Sequence, residues 1–205
     1  MSTGFTKEGI WWGGFYELAL ELGEPSDARL SGALKALWSH PSLDGCYLER
    51  DKEPAEQPRV SPGEYTDNLA HLQGLAMLPS GKSVVCGTVN IREEGGGPDW
   101  LDFYIPIAAL GDAYAIGPYP FTEDEASSKV WQQAVDNWLV ELGRYVYGVV
   151  PFRLGLIGWE MSGHAHASEI AERGIPEQRY EGYLWPRHHE LEWYPPNTWP
   201  LITAS

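Results

Sequence analysis

The stretch "GHAHASE", residues 163–169, brings two imidazoles and a carboxylate close together in the chain. His164 and His166 are two positions apart, and Glu169 follows His166 at the distance of one helical turn. Imidazole and carboxylate groups ligate metals, so His164 and His166 are weak candidates for a metal site. The residues around the pair are typical of the start of a helix, where side chains two apart point about 200° away from each other. This geometry favours an exposed turn, and the sequence predicts no metal site.

A second cluster, His188, His189 and Glu190, falls at a predicted turn between two strands. Adjacent residues of a strand face opposite ways, so at most one of these imidazoles can join a common site. Nucleophile motifs of the G-x-S-x-G type and glycine-rich phosphate loops are absent from the sequence. Cys86 lies in an apolar segment, which favours a packed thiol over a reactive one. The sequence therefore predicts no cofactor.

Acidic residues also form a cluster, in the loop between two predicted strands: Glu93, Glu94, Asp99 and Asp102. Paired carboxylates at a cleft hydrolyse glycosides, so a hydrolase that uses clustered acids is one alternative function. The chain holds 29 Asp and Glu residues, and in so acidic a sequence such clusters also arise by chance.

The strongest global property is charge, because 14 Lys and Arg residues against 29 Asp and Glu residues give a formal net charge of −15. Nucleic-acid binders need clustered basic residues that displace counterions from phosphate, and the sequence has no such cluster. An anionic membrane surface repels a chain of this charge. Three explanations remain: a basic protein partner, bound cations, or solubility alone.

Aromatic composition is the second unusual property, with ten Trp and eleven Tyr residues but only five Phe residues. Indole and phenol rings combine an apolar surface with a polar group, and they are enriched at protein interfaces. Most of these rings are expected in the core. Core packing is the weakest explanation for the rings in turn-rich segments. These rings are therefore the predicted partner contacts: Trp11, Trp12, Tyr119, Trp193 and Trp199.

Hydrophobic periodicity divides the chain into strands and helices. Alternation predicts a hairpin over 69–94 and strands at 13–23, 43–50, 100–110, 152–161, 179–186 and 190–195. Pro106 is expected to end the strand at 100–110. Helical spacing predicts helices at 26–40, 121–148 and 164–174. Hairpins predominate, which is typical of an α+β fold: a largely antiparallel or mixed sheet with one long and one or two shorter helices packed on it.

Two elements carry more detailed expectations. In the strand at 13–23, leucines alternate with Glu17 and Glu21, which is typical of a half-buried strand. The helix at 121–148 opens with a capping box formed by Thr122 and Glu125. Its predicted buried face consists of Trp131, Val135, Trp138, Leu142 and Tyr145. Its polar residues outside that face are Gln132, Asp136 and Arg144.

Two registers fit the hairpin over 69–94. A three-residue loop at 79–81 pairs Leu78 with Lys82 and, further along, Gly74 with Cys86. A two-residue turn pairs Leu75 with Cys86 instead. The two registers bring opposite faces of the strands together, and both stay open.

The length of 205 residues suits a single α+β domain, 1–205, with an irregular proline-rich C-terminal tail. No run reaches the ~20 apolar residues of a membrane span, and the N-terminus lacks the pattern of a secretory signal. Cys46 and Cys86 are interpreted as reduced, packed thiols, although a disulfide between them also fits the sequence. A cytoplasmic location is expected.

The segments "WGGFYELALELGE", "PDWLDFYIP" and "GLIGWEMSG" followed by "ASEIAERGIPEQRYEGYLWP" resemble those of a set of uncharacterised bacterial proteins. Together they cover most of the chain, so the resemblance extends to the whole protein. It implies a bacterial, cytoplasmic origin and no particular reaction, ligand or catalytic residue.

Charge, aromatic content and the lack of a coherent catalytic set favour a non-enzymatic, acidic, cytoplasmic protein that binds a basic protein, in the manner of immunity proteins or inhibitors. One alternative is a hydrolase that uses clustered carboxylates or a histidine metal site. Another is a small-ligand or saccharide-binding module. A deep pocket with convergent polar groups favours the alternatives, whereas a flat acidic, aromatic surface favours the protein binder. The oligomeric state stays open.

Overall fold

The computed structural model describes residues 4–117, 125–188 and 190–198. Within these ranges, eight strands form one antiparallel sheet in the order β2-β3-β4-β5-β1-β6-β7-β8. The strands are β1 Phe15–Gly23, β2 Leu43–Tyr47, β3 His71–Met77, β4 Ser83–Arg92, β5 Asp99–Pro106, β6 Leu154–Trp159, β7 Gly182–Arg187 and β8 Glu190–Tyr194. The helices are α1 Asp27–Trp38, α2 Ile107–Ala113, α3 Glu125–Tyr147 and α4 Ala167–Arg173. The predicted α+β fold is confirmed.

None of the helices in the described ranges combines the length and the apolar character that a membrane crossing requires. The helix predicted at 121–148 is present as α3, but its predicted cap, Thr122, lies outside the described residues.

Pro106 ends the strand predicted at 100–110, as expected, but α2, the helix that follows it directly, was not predicted. Pro106 has extended dihedral angles and precedes the first helical residue, and proline lacks the N–H that a continuing strand would need. The apolar residues after it therefore pack on one side of a short helix, with Ala109 and Leu110 buried.

The hairpin of β3 and β4 adopts the three-residue loop. Gly74 pairs with Cys86, and the Leu78 N–H donates to the Lys82 carbonyl at 2.9 Å. Gly81 has a φ of 78°, a left-handed conformation that glycine adopts without the steric cost of a Cβ. This residue closes the loop, and its conformation decides between the two registers.

β1 lies at the centre of the sheet, between β5 and β6. Leu18 and Leu20 point to the side covered by α1 and α3, which we call the helix face. Glu17 and Glu21 point to the opposite side, which we call the acid face, because successive residues of a strand alternate between faces.

The main core lies on the helix face. The predicted stripe of α1 is buried throughout: Leu30, Leu34, Leu37 and Trp38. Burial of side chains of this size stabilises the fold by about 1.5–3 kcal/mol each. α1 begins at Ser26, whose Oγ accepts from Arg29 N at 3.3 Å and whose N–H donates to Asp99 Oδ2 at 2.8 Å.

α3 buries a wider face than its spacing predicts. Its predicted core residues Trp131, Val135 and Leu142 are buried, and Trp138 is half-buried. Tyr145 was predicted to be buried and is 41% exposed, whereas Gln132 and Asp136 were predicted outside the buried face and are buried. Gln132 and Asp136 are buried because α3 packs against two neighbours, the sheet and the chain around β8.

The acid face is also covered, so the prediction of a half-buried β1 is wrong. The segment 160–170, which includes α4, packs on Ala19 of β1 and on apolar residues of β5, β6 and β7. Glu17 and Glu21 are consequently 6% and 2% exposed. The covering segment lies 144 residues beyond Glu17 in the chain, and alternation within a strand contains no information about it.

Candidate functional site

Four carboxylates lie together on the acid face, and we call them the carboxylate row. β1 supplies Glu17 and Glu21, β5 supplies Asp102, and the loop after β4 supplies Glu93. Asp102 pairs with Ala19, so it lies diagonally between the two glutamates of β1. Diagonal neighbours across two strands are about 7–8 Å apart, which long side chains span.

Three hydrogen bonds tie the row to the covering segment: Met161 N–H to Glu17 Oε2 at 2.8 Å, the Ser162 hydroxyl to Asp102 Oδ2, and Ala167 N–H to Glu21 Oε2 at 2.6 Å. The buried carboxylates therefore satisfy backbone donors of the segment that covers them. Asp102 Oδ1 is buried and accepts no hydrogen bond from the described residues.

Burial controls the ionisation of the row. Desolvation, with a smaller contribution from the charge of Asp102, raises the pKa of Glu17 to about 8. Desolvation raises the pKa of Asp102 to about 7, although the bond from Ser162 opposes the shift. Desolvation also raises the pKa of Glu21, against the opposing bond from the Ala167 N–H. Glu17 and Asp102 together thus retain protons close to neutral pH.

His166 lies at the Glu21 end of the row. Its Nδ1 is 3.7 Å from Glu93 Oε1 and 4.0 Å from Glu21 Oε2. Trp100 Nε1 donates to the same Glu93 oxygen at 2.9 Å, and the Trp100 and His166 rings meet edge to face. The imidazole is therefore held between two carboxylates and an indole.

Glu160 extends the row beyond Glu17. Its N–H donates to the Phe15 carbonyl at 3.0 Å, and its charge contributes to the raised pKa of Glu17. A Cβ placed on Gly14 would lie 2.7 Å from Glu160 Oε1, so this carboxylate lies against the start of β1. Trp12, two residues earlier in the chain, is 70% exposed.

Six other surface carboxylates of the described chain pair with neighbouring bases, whereas others, such as Glu24, Glu64 and Glu172, form no salt bridge with a described Lys or Arg. The pairs are Asp44–Arg59, Asp27–Arg92, Asp112–Lys7, Glu49–Lys52, Glu141–Arg144 and Glu192–Arg187. Among the described residues, neither Glu160 nor any member of the row forms a salt bridge with a Lys or an Arg. The acid face thus gathers carboxylates without a direct salt bridge from a described Lys or Arg, and the nearby charges of His166 and Arg153 lower the pKa of Glu21 against the larger effect of desolvation.

A proton-sharing carboxyl pair has the chemistry of a general acid. Glu17 and Asp102 are covered by Met161 and Ser162, and Asp102 is 1% exposed, so a substrate does not reach them in this conformation. The acids of the hydrolase alternative are also separated, because Asp99 lies on the helix face and binds the start of α1. This arrangement supports a structural and electrostatic role for the row.

The two candidate metal ligands are not brought together. α4 begins at Ala167, after both histidines, so the expected helical separation does not apply to them. His164 is exposed, whereas His166 is half-buried with its Nδ1 near Glu21 and Glu93. In the described ranges, no group of three or more His, Cys, Asp or Glu residues is arranged to hold a metal.

The remaining histidine cluster and the thiols offer no site. His188 is exposed, and His189 lies outside the described residues. Cys46 and Cys86 are buried and not bonded to each other. Burial raises the pKa of both thiols, which opposes formation of a reactive thiolate.

The predicted contact aromatics differ in their surroundings. Trp12 is exposed, whereas Trp11 is half-buried against Phe5 and donates its Nε1–H to the Phe5 carbonyl at 2.9 Å. Trp193 is half-buried on the helix face. The other two, Tyr119 and Trp199, lie outside the described residues.

Sequence reasoning missed Glu17 and Glu21 as members of this site. The available signal was their spacing, which places both glutamates on the same face of β1. When the whole chain is compared with known proteins, no protein-family model, no curated protein and no solved structure matches it.

Proposed function

We propose that the protein is a non-enzymatic, cytoplasmic binding protein for a basic protein partner. The contact surface is the rim of the acid face, at Glu93, Glu160 and Trp12. The observation that carries the proposal is the concentration of carboxylates there without a Lys or Arg salt bridge from the described residues.

Unbalanced charge of this kind is costly to the isolated protein. Like charges close together raise one another's pKa and oppose folding, so a cation supplied from outside stabilises ionised carboxylates at the rim of the acid face. An arginine or lysine of a partner next to Glu93 and Glu160 supplies this cation. The same field accelerates the encounter with a basic protein and repels nucleic acid.

Charge alone gives little affinity, because exposed ion pairs contribute about 0–1 kcal/mol each. Burial of an exposed indole contributes more, and tryptophan is enriched among the residues that dominate interface energies. Trp12 lies two residues from the glycine that contacts Glu160, so it supplies an apolar contact beside the acids.

A ten-residue polyarginine peptide serves as the probe. A ten-residue polyglutamate peptide, which has the opposite charge, serves as the negative control. Stopped-flow fluorescence measures the association rate at increasing salt. We expect the arginine peptide to bind with an on-rate that falls steeply with salt, because the attraction is screened. The double variant Glu93→Gln/Glu160→Gln should lower the on-rate about tenfold.

The matched control removes the same charge from balanced sites, as Asp44→Asn/Glu49→Gln. It should change the on-rate by less than about twofold, because these acids already pair with Arg59 and Lys52. Equal effects of the two double variants would show that only total charge matters and would contradict the proposed surface. Binding of duplex DNA at physiological salt would contradict the basic-partner proposal itself.

A further inference from the structure

A cavity of about 590 Å³ opens on the helix face, between α3 and the segment 193–197. This volume lies within the ~300–1,000 Å³ typical of small-molecule sites. One wall is formed by successive turns of α3, with Gln132 and Asp136 at its base and Gln133 and Asn137 at its rim. The opposite wall includes the indole of Trp193.

Gln132 lines this cavity and carries a buried, unused acceptor. The residue is 7% exposed, and its Oε1 accepts no hydrogen bond from the residues that the structure describes. A buried acceptor without a donor destabilises the protein, and rotation of the amide towards a ligand hydroxyl or N–H in the cavity removes that cost.

Asp136 supplies the second polar group. It is buried, and its Oδ1 accepts from the Tyr16 hydroxyl at 2.6 Å. Desolvation raises its pKa to about 7, against the opposing bond from Tyr16. Near neutral pH this carboxyl group is therefore present in both forms and can accept or donate a hydrogen bond.

Gly182, which has no side chain, leaves room for the indole of Trp193. A Cβ on Gly182 of β7 would lie 1.9 Å from the Trp193 ring, so only glycine lets the indole lie across that strand. The indole consequently forms a fixed apolar wall opposite the amides of α3. Amides and a carboxyl group facing an indole suit a ligand with hydroxyl groups on its edge and C–H groups on its face.

We infer that this cavity binds a neutral, polyhydroxylated ligand, a mono- or disaccharide. Amide side chains dominate the α3 wall, and they recognise uncharged hydroxyls. The described lining lacks the cluster of bases that a phosphate would need.

Titration calorimetry with glucose, N-acetylglucosamine, maltose and cellobiose tests the inference. We expect at least one of these probes to bind at millimolar concentration or below. Gln132→Leu should weaken that binding about tenfold, or about 1.4 kcal/mol, because it removes the acceptor at nearly constant volume. Gln132→Leu replaces an unsatisfied buried polar group, so it should not unfold the protein.

Trp193→Ala should abolish binding of the same probe, whereas Gln178→Leu on the exposed surface should leave it unchanged. Binding of none of the four saccharides would overturn the inference, and so would binding that Gln132→Leu does not weaken. Preferential binding of arginine methyl ester would assign the cavity to cations and would equally refute it. These outcomes concern the helix face, so they leave the proposed protein-binding surface unaffected.

Discussion

Burial of the Glu17 carboxyl group makes the stability of the fold depend on pH. Its pKa rises from 4.5 to about 8 in the folded protein, mainly through desolvation. Between pH 4.5 and about pH 8, the folded state therefore binds more protons than the unfolded state. The stability that Glu17 contributes is therefore fully present below its unfolded pKa and is lost as pH rises through its folded pKa.

We expect the free energy of unfolding to fall between pH 5 and pH 8 by on the order of 2 kcal/mol more in the wild type than in Glu17→Gln. Glutamine can still accept from Met161 N–H, but it does not ionise. Urea unfolding at several pH values measures the difference. Glu172→Gln, on the exposed side of α4, should keep the wild-type slope. An unchanged slope in Glu17→Gln would show that Glu17 is not the group responsible.

His164 and His166 carry a second expectation, that they hold no high-affinity metal. His166 faces the Glu21 and Glu93 carboxylates while His164 is exposed, so the two rings do not converge on one ion. Elemental analysis of protein purified without a histidine tag should find no stoichiometric zinc, nickel or iron. A stoichiometric metal that disappears in His166→Ala would refute this expectation and revive the hydrolase alternative.

A helix packs closely on the sheet where Trp38 of α1 covers Gly74 of β3. A Cβ on Gly74 would lie 2.4 Å from the indole and 2.8 Å from the Asp44 carbonyl oxygen. We expect Gly74→Ala to destabilise the protein by about 1–3 kcal/mol, since the helix must move away from the sheet. Urea unfolding measures this change.

Gly111→Ala in α2 is the matched control for Gly74→Ala. A Cβ there meets no heavy atom within 4 Å, and alanine favours the helix by about 0.5–1 kcal/mol. The control should be neutral or stabilising. Similar destabilisation by both variants would show that the cost does not come from the contact with Trp38.

Periodicity predicted the elements well where local spacing decides them, as in the stripe of α1 or the alternation of β1. It failed where a distant neighbour decides. Pro106 correctly predicted the end of β5, but the short apolar run after it did not predict α2. Gln132 and Asp136 are buried because the chain around β8 closes over α3, and spacing within α3 cannot show that.

The candidate site was less predictable for the same reason. Asp102 was identified as one acid of a cluster, but the cluster in sequence is divided between two faces of the sheet. Glu17 joins Asp102 only through the pairing of β1 with β5, which involves residues far apart in the chain. The stretch "GHAHASE" proved relevant through His166 and the Ala167 N–H, which contact the row, and not through a paired-imidazole site.

At the scale of the whole molecule, a net charge of −15 opposes compaction through self-repulsion. Added salt screens this repulsion within roughly 10 Å at 0.1 M. We expect the melting temperature to rise between 10 mM and 0.3 M sodium chloride by about 2–4 °C, equivalent to on the order of 1 kcal/mol. Differential scanning calorimetry measures it, and a flat or falling melting temperature would contradict it.

The central position of β1 also sets the order in which a ribosome-bound chain can fold. β2 to β5 are successive neighbours in the sheet, so they can pair as a local meander soon after they emerge. β1 is synthesised before all of them, yet Glu21 pairs with Trp100 on one side and Leu154 on the other. A nascent chain that stops before β6 therefore presents an open strand edge, the kind of edge that pairs with other chains. The segment 160–170, which covers the carboxylate row, is translated after β6, so Glu17 and Glu21 stay uncovered until it emerges.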